Sequence, residues 1–481
     1  MATDYYLAAV LNVIHPRCLL YIILLLCGMP HLVHAQSADT GSFVLMEKQH
    51  IRSIHIEGNK RTRRSIILRE MSVAEGEKIS KLKVPDEMEV NRKRLMNLSL
   101  FSEVVVNTVV INDTTIDWHI KVREQWYILP ELTLKLADRN FNVWWNEQNH
   151  DIRRANLGVA FKHRNFRGNL EELSATVQVG YTQKFGLEYF RPYIDKKQQH
   201  GLGASFFFSQ NEETFYTTDS NKLKFVKKPG TYIIRHFEMA AQYVHRPGYA
   251  NRHTIELRYR DFMANDTIVQ LNADYYKKAA RQLQLMEFTY RYDLNKVDNW
   301  NYPLTGLKVV GYAVVRVGVK GFDFQSYVSG EVGYFKRLGR KWLWSEVLRG
   351  RLTAPDEQPY TFRYAMGNSS EYLRGYEYYV IDGSQYGLLR SNFKYELLNT
   401  AIRNFPIKYL AVIPVRVYPK VFVDVGYAAN RFPGNSYLNN RALVGYGVGV
   451  DVVSAYDFKL RLEYAWNHLG EKGLFLHVNS E

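Results

Sequence analysis

From Trp126 onward, apolar and polar residues alternate along the chain in short, repeated runs. FKLRLEYAW (458 to 466) sets Phe458, Leu460, Leu462, Tyr464 and Trp466 on one face and Lys459, Arg461 and Glu463 on the other. Successive side chains of a strand point to opposite faces, so period two predicts a strand with one apolar and one charged surface. TIELRYRDF, MEFTYRYDL and SNFKYELL repeat the scheme, with Glu256, Arg258 and Arg260, Glu287 and Arg291, and Lys394 and Glu396 on the polar side. Such stretches begin near residues 126, 153, 169, 182, 199, 231, 252, 282, 305, 323, 342, 384, 417, 442, 456 and 472, sixteen in all. Many strands of about ten residues, alternating and flanked by Tyr and Trp, predict a mainly β chain: an antiparallel transmembrane β-barrel, apolar to lipid and charged to the lumen. A soluble sandwich alternates too, but it turns its apolar faces inward and has little use for aromatic residues at strand ends. Alternation is weakest near 182 and 199, and NDTIVQLNADYYKK (265 to 278) reads equally as loop or strand.

Residues 51 to 123 have another rhythm, that of a small α+β domain of order β-α-α-β-β. IRSIHIEG (51 to 58) is a strand closed by the Gly58-Asn59 turn, and Thr62 is placed to cap a helix through RRSIILREM. A second helix starts after Pro85, with Asp86 and Glu87 in its first turn and Val90, Leu95, Leu98 and Phe101 as its apolar stripe. SEVVVNTVVI (102 to 111) and TTIDWHIKV (114 to 122) are strands joined by Asn112-Asp113. The division is therefore 51–124 for this domain and 125–481 for the barrel. Ahead of both, the apolar run 18–35 follows Arg17 and ends in small residues, as in a signal peptide cleaved near Ala35, which leaves 36–50 as a linker. Read instead as a membrane anchor, that run is broken by Gly28 and Pro30 before reaching the ~20 residues a spanning helix needs.

Composition agrees with an exported barrel. Tyr and Phe number 35 and 25, yet mean hydropathy is −0.32, a combination unsuited to a helical membrane protein. Both cysteines, Cys18 and Cys27, fall in the leader, so disulfides, thiol chemistry and a Cys-based zinc site are excluded from the exported part. A net charge of +15 suits acidic lipid head groups or acidic polypeptide; nucleic acid is not expected for an exported chain. The chain lacks G-x-S-x-G, H-E-x-x-H and Walker A patterns, and its 14 histidines have no metal-ligand spacing, which predicts neither an enzyme nor a cofactor.

One segment asks for a partner. YAMGNSSEYLRGYEYYVIDGS (364 to 384) places Arg374 among Tyr372, Tyr376, Tyr378 and Tyr379, in a connection of about thirty residues, long enough to need a reason. Folded into the barrel, the loop buries its rings, and the guanidinium then requires carboxylates. Glu396 and Asp424, on the polar faces of the next strands, are the candidates. An ordinary porin loop with a solvated arginine is the alternative.

The run Gly367 to Tyr376, ending Leu-Arg-Gly-Tyr, resembles the inserted sixth extracellular loop of BamA/TamA-type outer-membrane assembly barrels. RYDLNKVDNWNYPLTG (291 to 306) is similar to a strand-turn-strand of the same family. The I-x-I-x-G-N pattern at 54–59, with NRKRLMNLSLFSEV at 91–104, resembles that family's POTRA domain. By this resemblance Leu373, Arg374, Gly375 and Tyr376 form the loop tip, Glu396 is the acid of the twelfth strand, and Asp424 in F-x-D-x-G is the acid of the thirteenth. It further implies a bacterial outer-membrane barrel with a periplasmic POTRA domain, working on unfolded outer-membrane proteins, with accessory periplasmic or outer-membrane proteins and membrane lipids as partners. The basic run Lys60, Arg61, Arg63 and Arg64 would contact acidic clients or lipid, or simply be a solvated helix start.

The barrel would close through its first strand, carrying Pro130 and Glu131, and its last, Leu474 to Val478. Proline donates nothing to a ladder, so this seam should be the weak one, and its parted edges would template an incoming strand. Two features depart from the full-length family: there is room for one POTRA domain rather than several, and the chain ends GLFLHVNSE without a terminal aromatic residue. An accessory subunit or passive channel with the family fold is the alternative function.

Overall fold

The computed structural model describes residues 48–138, 141–368, 371–403, 412–454 and 458–478. The run expected as a leader, with both cysteines, and nearly all of the expected linker lie outside the described residues.

The N-terminal domain consists of β1 (Lys48–Glu57), α1 (Arg64–Glu70), β2 (Lys78–Ser80), α2 (Val84–Met96), β3 (Phe101–Asn112) and β4 (Thr115–Glu124). Its sheet runs β2-β1-β4-β3, with β1 and β4 parallel. The helices cover one face, over a core that includes Ile51, Ile66, Ile67, Leu95, Phe101 and Trp118. Strand β2, three residues long, is too short to show a period in sequence. The expected stripe on α2 is shifted: Val90 is exposed, and the inner positions are Val84, Asn91 and Leu95. Asn91 earns its buried place by accepting from the Ser72 amide (2.7 Å) and donating to the Ser72 hydroxyl (2.8 Å). Thr62 does not cap α1; the N-cap is Arg63, with no side-chain cap. The Thr62 hydroxyl instead meets the Tyr127 hydroxyl (2.7 Å) and accepts from Asn165 (3.0 Å), both at the barrel's near rim.

The barrel begins with β5 (Ile128–Leu136), a short helix α3 (Phe141–Asn146), β6 (Ala155–Phe166), β7 (Glu171–Gly180), β8 (Thr182–Arg191) and β9 (His200–Asn211). A hairpin, β10 (Glu213–Asp219) and β11 (Lys222–Lys227), stands outside the wall at the far end. The wall resumes with β12 (Ile234–His245), β13 (Asn251–Ala264), β14 (Gln282–Val297), β15 (Gly306–Lys320), β16 (Phe324–Arg337) and β17 (Trp342–Ala354). Between β13 and β14 lies helix α4 (Asp266–Leu271), capped by Asn265 accepting from the Thr267 amide (3.1 Å), which resolves the ambiguous 265–278 stretch as a loop with one helical turn. The long connection holds a small ladder of β18 (Tyr364–Met366) and β19 (Ile381–Asp382). The last staves are β20 (Gln385–Tyr395), β21 (Leu398–Arg403), β22 (Val412–Ala429), β23 (Leu443–Val453), β24 (Lys459–Asn467) and β25 (Lys472–Val478).

β20 and β21 are one stave interrupted at Glu396-Leu397, since both pair with β22. Among the described residues the closed order runs from β12 around to β25, β5 and back to β9, sixteen staves at the expected places, including those near 182 and 199. Outward positions such as Leu157, Val159 and Phe161 on β6 are about half exposed, as a lipid-facing surface requires.

The small domain is seated on the near mouth. Its core takes in Tyr127, Leu170 and Tyr193 from the barrel rim. Below them Glu70 of α1 accepts two bonds from Arg246 (2.6 and 2.8 Å), with the Tyr193 hydroxyl alongside. Both ionic groups are almost wholly buried, so the pair fixes orientation as well as contact: each charge is costly unless the other is in place.

Candidate functional site

The sequence places four tyrosines around Arg374, and the fold shows why. The described residues of the connection between β17 and β20 turn down from the far end into the lumen, and the tip at 372–376 lies against β22, β23, β24 and β25. Gly375 has φ +87°, a left-handed turn that favours glycine, and its carbonyl accepts from Asn467 of β24 (2.7 Å). Leu373 and Tyr376 are buried beside Met366, Leu388, Ala428 and Leu443. Each tyrosine has its own station. Tyr372 stacks on His477 of β25 at 4.8 Å; Tyr376 donates to the Val444 carbonyl (3.3 Å) and bonds His468; Tyr378 meets Phe475 edge-on; and Tyr379 donates to Glu471 (2.6 Å).

Arg374 itself is 3% exposed. Its Nε donates to Asp424 Oδ2 (2.8 Å) and its Nη2 to Asp424 Oδ1, a two-pronged contact supplemented by the Arg374 backbone amide (3.2 Å). Nη1 donates to Asn392 of β20 (2.7 Å) and to Glu463 of β24 (3.2 Å), and the guanidinium lies 3.9 Å above the Phe422 ring. Asp424 is thus brought to Arg374 as expected. Glu396 is not. It sits at the near rim, on Arg337 (3.1 Å), with its amide bonded to the Lys341 carbonyl. Arg374 reaches β20 at Asn392, and Glu396 lies four residues further along, roughly 13 Å at about 3.3 Å per residue.

The second acid is Glu463, whose place on the polar face of FKLRLEYAW was the available signal. β23 separates Asp424 on β22 from Glu463 on β24, but its inward residues Gly445, Gly447 and Gly449 put no side chain between them. A Cβ at Gly445 would run into the Arg374 carbonyl oxygen, so the trough is shaped to the loop.

Beneath the lock, Lys420 bridges Glu463 (2.7 Å) and Asp451 (2.6 Å). Asp451 also accepts from Tyr302 (2.7 Å), which the turn after β14 inserts into the barrel from the near end. This is the RYDLNKVDNWNYPLTG segment, whose tight turn is held by Asp298 accepting from the Leu304 and Thr305 amides. The other half of the lumen holds a cavity of about 550 Å³ lined by the predicted polar face. Its charges interlock: Arg258 with Glu256 (2.7 Å) and Glu238 (3.2 Å), Arg260 with Glu287 (3.3 Å).

At the seam, β25 and β5 are neighbours in the closed order. Leu474 and Val478 point outward and are about half exposed. The backbone of β5 pairs Pro130 with Phe161 and Glu131 with Ala160 on the β6 side, while the side chains of Pro130 and Glu131 lie outside the described set. In the basic run, Arg64 pairs with Glu75 (2.9 Å), and the Arg61 amide donates to Glu124 (3.1 Å).

Two side-chain groups among the described residues have metal-like composition: His55, Asp117 and His119 on the small domain, and Glu377, Glu463 and His477 in the lumen. Asp117 is engaged by Arg52, whose hydrogen bond holds its carboxyl down to about 2, and Glu463 by Arg374 and Lys420.

A POTRA-like domain seated on a sixteen-stave barrel, with an arginine-tipped loop locked in the lumen, defines a class of outer-membrane barrel. The Omp85 superfamily domain matches residues 165–473 and the POTRA domain, described as surface antigen variable number repeat, matches 49–125. The chain belongs to the Omp85 superfamily, and its place is the outer membrane with the POTRA domain in the periplasm; the near mouth is therefore periplasmic. Outer membrane protein assembly factor BamA of Neorickettsia risticii (strain Illinois) is 34% identical over 94 residues, 20% of this chain and 12% of that protein. In fold the chain is similar to BamA from Haemophilus ducreyi lacking POTRA domains 1-3, with TM-score 0.51, 15% identity and 89% of this chain and 84% of that one covered. It is also similar to CdiB from Escherichia coli, with TM-score 0.55, 10% identity and 90% and 76% covered.

Proposed function

We propose that the protein inserts or passes unfolded outer-membrane polypeptides, using the seam between β25 and β5 as the place where a client strand is received. The observation that carries this reading is the anchorage of the loop. Arg374, the Gly375 carbonyl and the tyrosines hold Asp424 of β22, Val444 of β23, Glu463 and Asn467 of β24, and Phe475 and His477 of β25. Four consecutive staves ending at the seam are braced as one unit. The facing strand carries Pro130, which has no N–H to give. A rigid edge beside a poorly donating strand suits β-augmentation, in which an extended chain adds its own ladder to the exposed edge.

The periplasmic side offers a first contact. β3 is an outer strand of the POTRA sheet, and Val105, Val109, Val110 and Ile111 along it are exposed. An extended client would pair there before reaching the barrel, and accessory proteins would compete for the same edge. Depletion followed by quantitative proteomics of the outer membrane tests the reading. Assembly or insertion predicts loss of many barrel proteins. Loss of a single protein, or of none, would favour the accessory or channel alternative.

A further inference from the structure

Helix α3, in the loop that leaves β5 at the extracellular end, crosses to the other side of the seam. Asn142 Nδ2 donates to the Leu474 backbone carbonyl of β25 at 2.7 Å and lies 3.2 Å from the Tyr378 hydroxyl. One turn later Asn146 Nδ2 also reaches the Tyr378 hydroxyl at 3.2 Å, and the Tyr378 ring packs edge-on against Phe475 of β25 at 5.7 Å. The helix is held from below by Val143, 3% exposed, and from behind by Glu147 on Lys222 of the outer hairpin (2.8 Å). The start of β25, the first-strand loop and the locked lumenal loop thus converge on one point.

The chemistry of that point is specific. On its other side β25 pairs with β24, Leu474 lying opposite Tyr464. In an antiparallel ladder one residue's N–H and C=O face the same neighbour, so a carbonyl reached from across the seam belongs to the outward edge. There a primary amide supplies the N–H that a paired strand would otherwise supply. We infer that Asn142 is a latch: it occupies the Leu474 carbonyl as a mimic of a client strand, holds the extracellular end of the seam shut, and must be displaced when an extended polypeptide pairs with β25. The inference rests on the seam reading above and names the carbonyl at which pairing at that end begins.

The test uses the full chain reconstituted in lipid vesicles, with spin labels on the outward residues Leu134 and Leu476 to read the width across the seam. Asn142→Ala removes the donor, and Asn142→Asp keeps the shape but sets a carboxylate against the carbonyl. Retained heat-modifiable mobility on gels certifies that each variant is folded. Asn146→Ala, which removes the contact to Tyr378 alone, is the control. Loss of one neutral hydrogen bond predicts a wide-distance population raised on the order of tenfold in both Asn142 variants, and little changed in the control. Unaltered distance distributions in folded Asn142→Ala and Asn142→Asp overturn the latch. Client insertion measured in the same vesicles separates the two ideas: a widened seam with unchanged insertion keeps the latch and removes the seam from the insertion reading.

Discussion

Replacing Arg374 by alanine is the most direct perturbation of the lumenal lock. The side chain makes two bonds to Asp424 and one each to Asn392 and Glu463. Removing one member of a buried ionic group costs about 3 to 5 kcal/mol, because the partner charges stay buried. Here the lower end applies, since Glu463 keeps Lys420 at 2.7 Å and Asp424 keeps Arg390 at 3.8 Å. A loss of about 3 kcal/mol at roughly 2 °C per kcal/mol, the value for larger chains, lowers the unfolding midpoint by about 6 °C. Arg374→Lys retains the charge but cannot span Asp424 in a fork while reaching Asn392 and Glu463, so its midpoint falls between those of wild type and alanine. The assay is the temperature at which the compact form disappears on semi-native gels, together with protease sensitivity of the loop. Midpoints and loop protection equal to wild type in both variants would refute the reasoning.

Exchanging the acids distinguishes the observed lock from the one expected in sequence. Glu463→Gln should cost about 3 kcal/mol of stability, comparable to Arg374→Ala, whereas Glu396→Gln, at the partly exposed rim pair with Arg337, should cost less than about 1 kcal/mol. In the POTRA domain the hydrogen bond from Arg52 holds the Asp117 carboxyl at about 2, against an ordinary 3.8. A depressed carboxyl stabilises the fold above its ordinary value and loses that contribution as pH falls from 3.8 towards 2, so β4 should lose hydrogen-exchange protection across that window. Arg52→Gln should flatten the change, and an unchanged pH profile would exclude the pair as its origin. Glu70→Gln leaves Arg246 without its buried counter-charge and should release the POTRA domain from the near mouth, read as a broadened distance distribution between labels on the two domains.

The fold was legible because a membrane barrel writes its period into sequence. Even β8 and β9, with weak alternation, stand where the pattern placed them. Elements governed by other rules escaped: β2 is too short for a period, α3 and the β10–β11 hairpin are built by loop contacts, and Thr62 was claimed by the barrel instead of its helix. At the site, the arginine's need for carboxylates and Asp424 as a partner were readable from local chemistry, and Gly375 at the tip from the family resemblance. The choice of Glu463 over Glu396 was not, since it depends on the height of the loop tip in the lumen and on a glycine trough on β23, between Asp424 and Glu463. Alternation tells which side chains face inward; it does not tell which of them share a level.

The measurement that bears most directly on a strand-accepting seam is a reversible disulfide across it. One cysteine is scanned between Glu131 and Leu136 and the other between Leu474 and Val478, trying several registers because a bridge needs Cα atoms within roughly 7 Å. The chain's own two cysteines, Cys18 and Cys27, are replaced by serine, so any bridge formed is unambiguous. The account predicts that the oxidised protein is folded and present in the outer membrane but fails to assemble its clients, and that a reductant restores assembly. Normal assembly in cells that depend on the fully bridged form would contradict it.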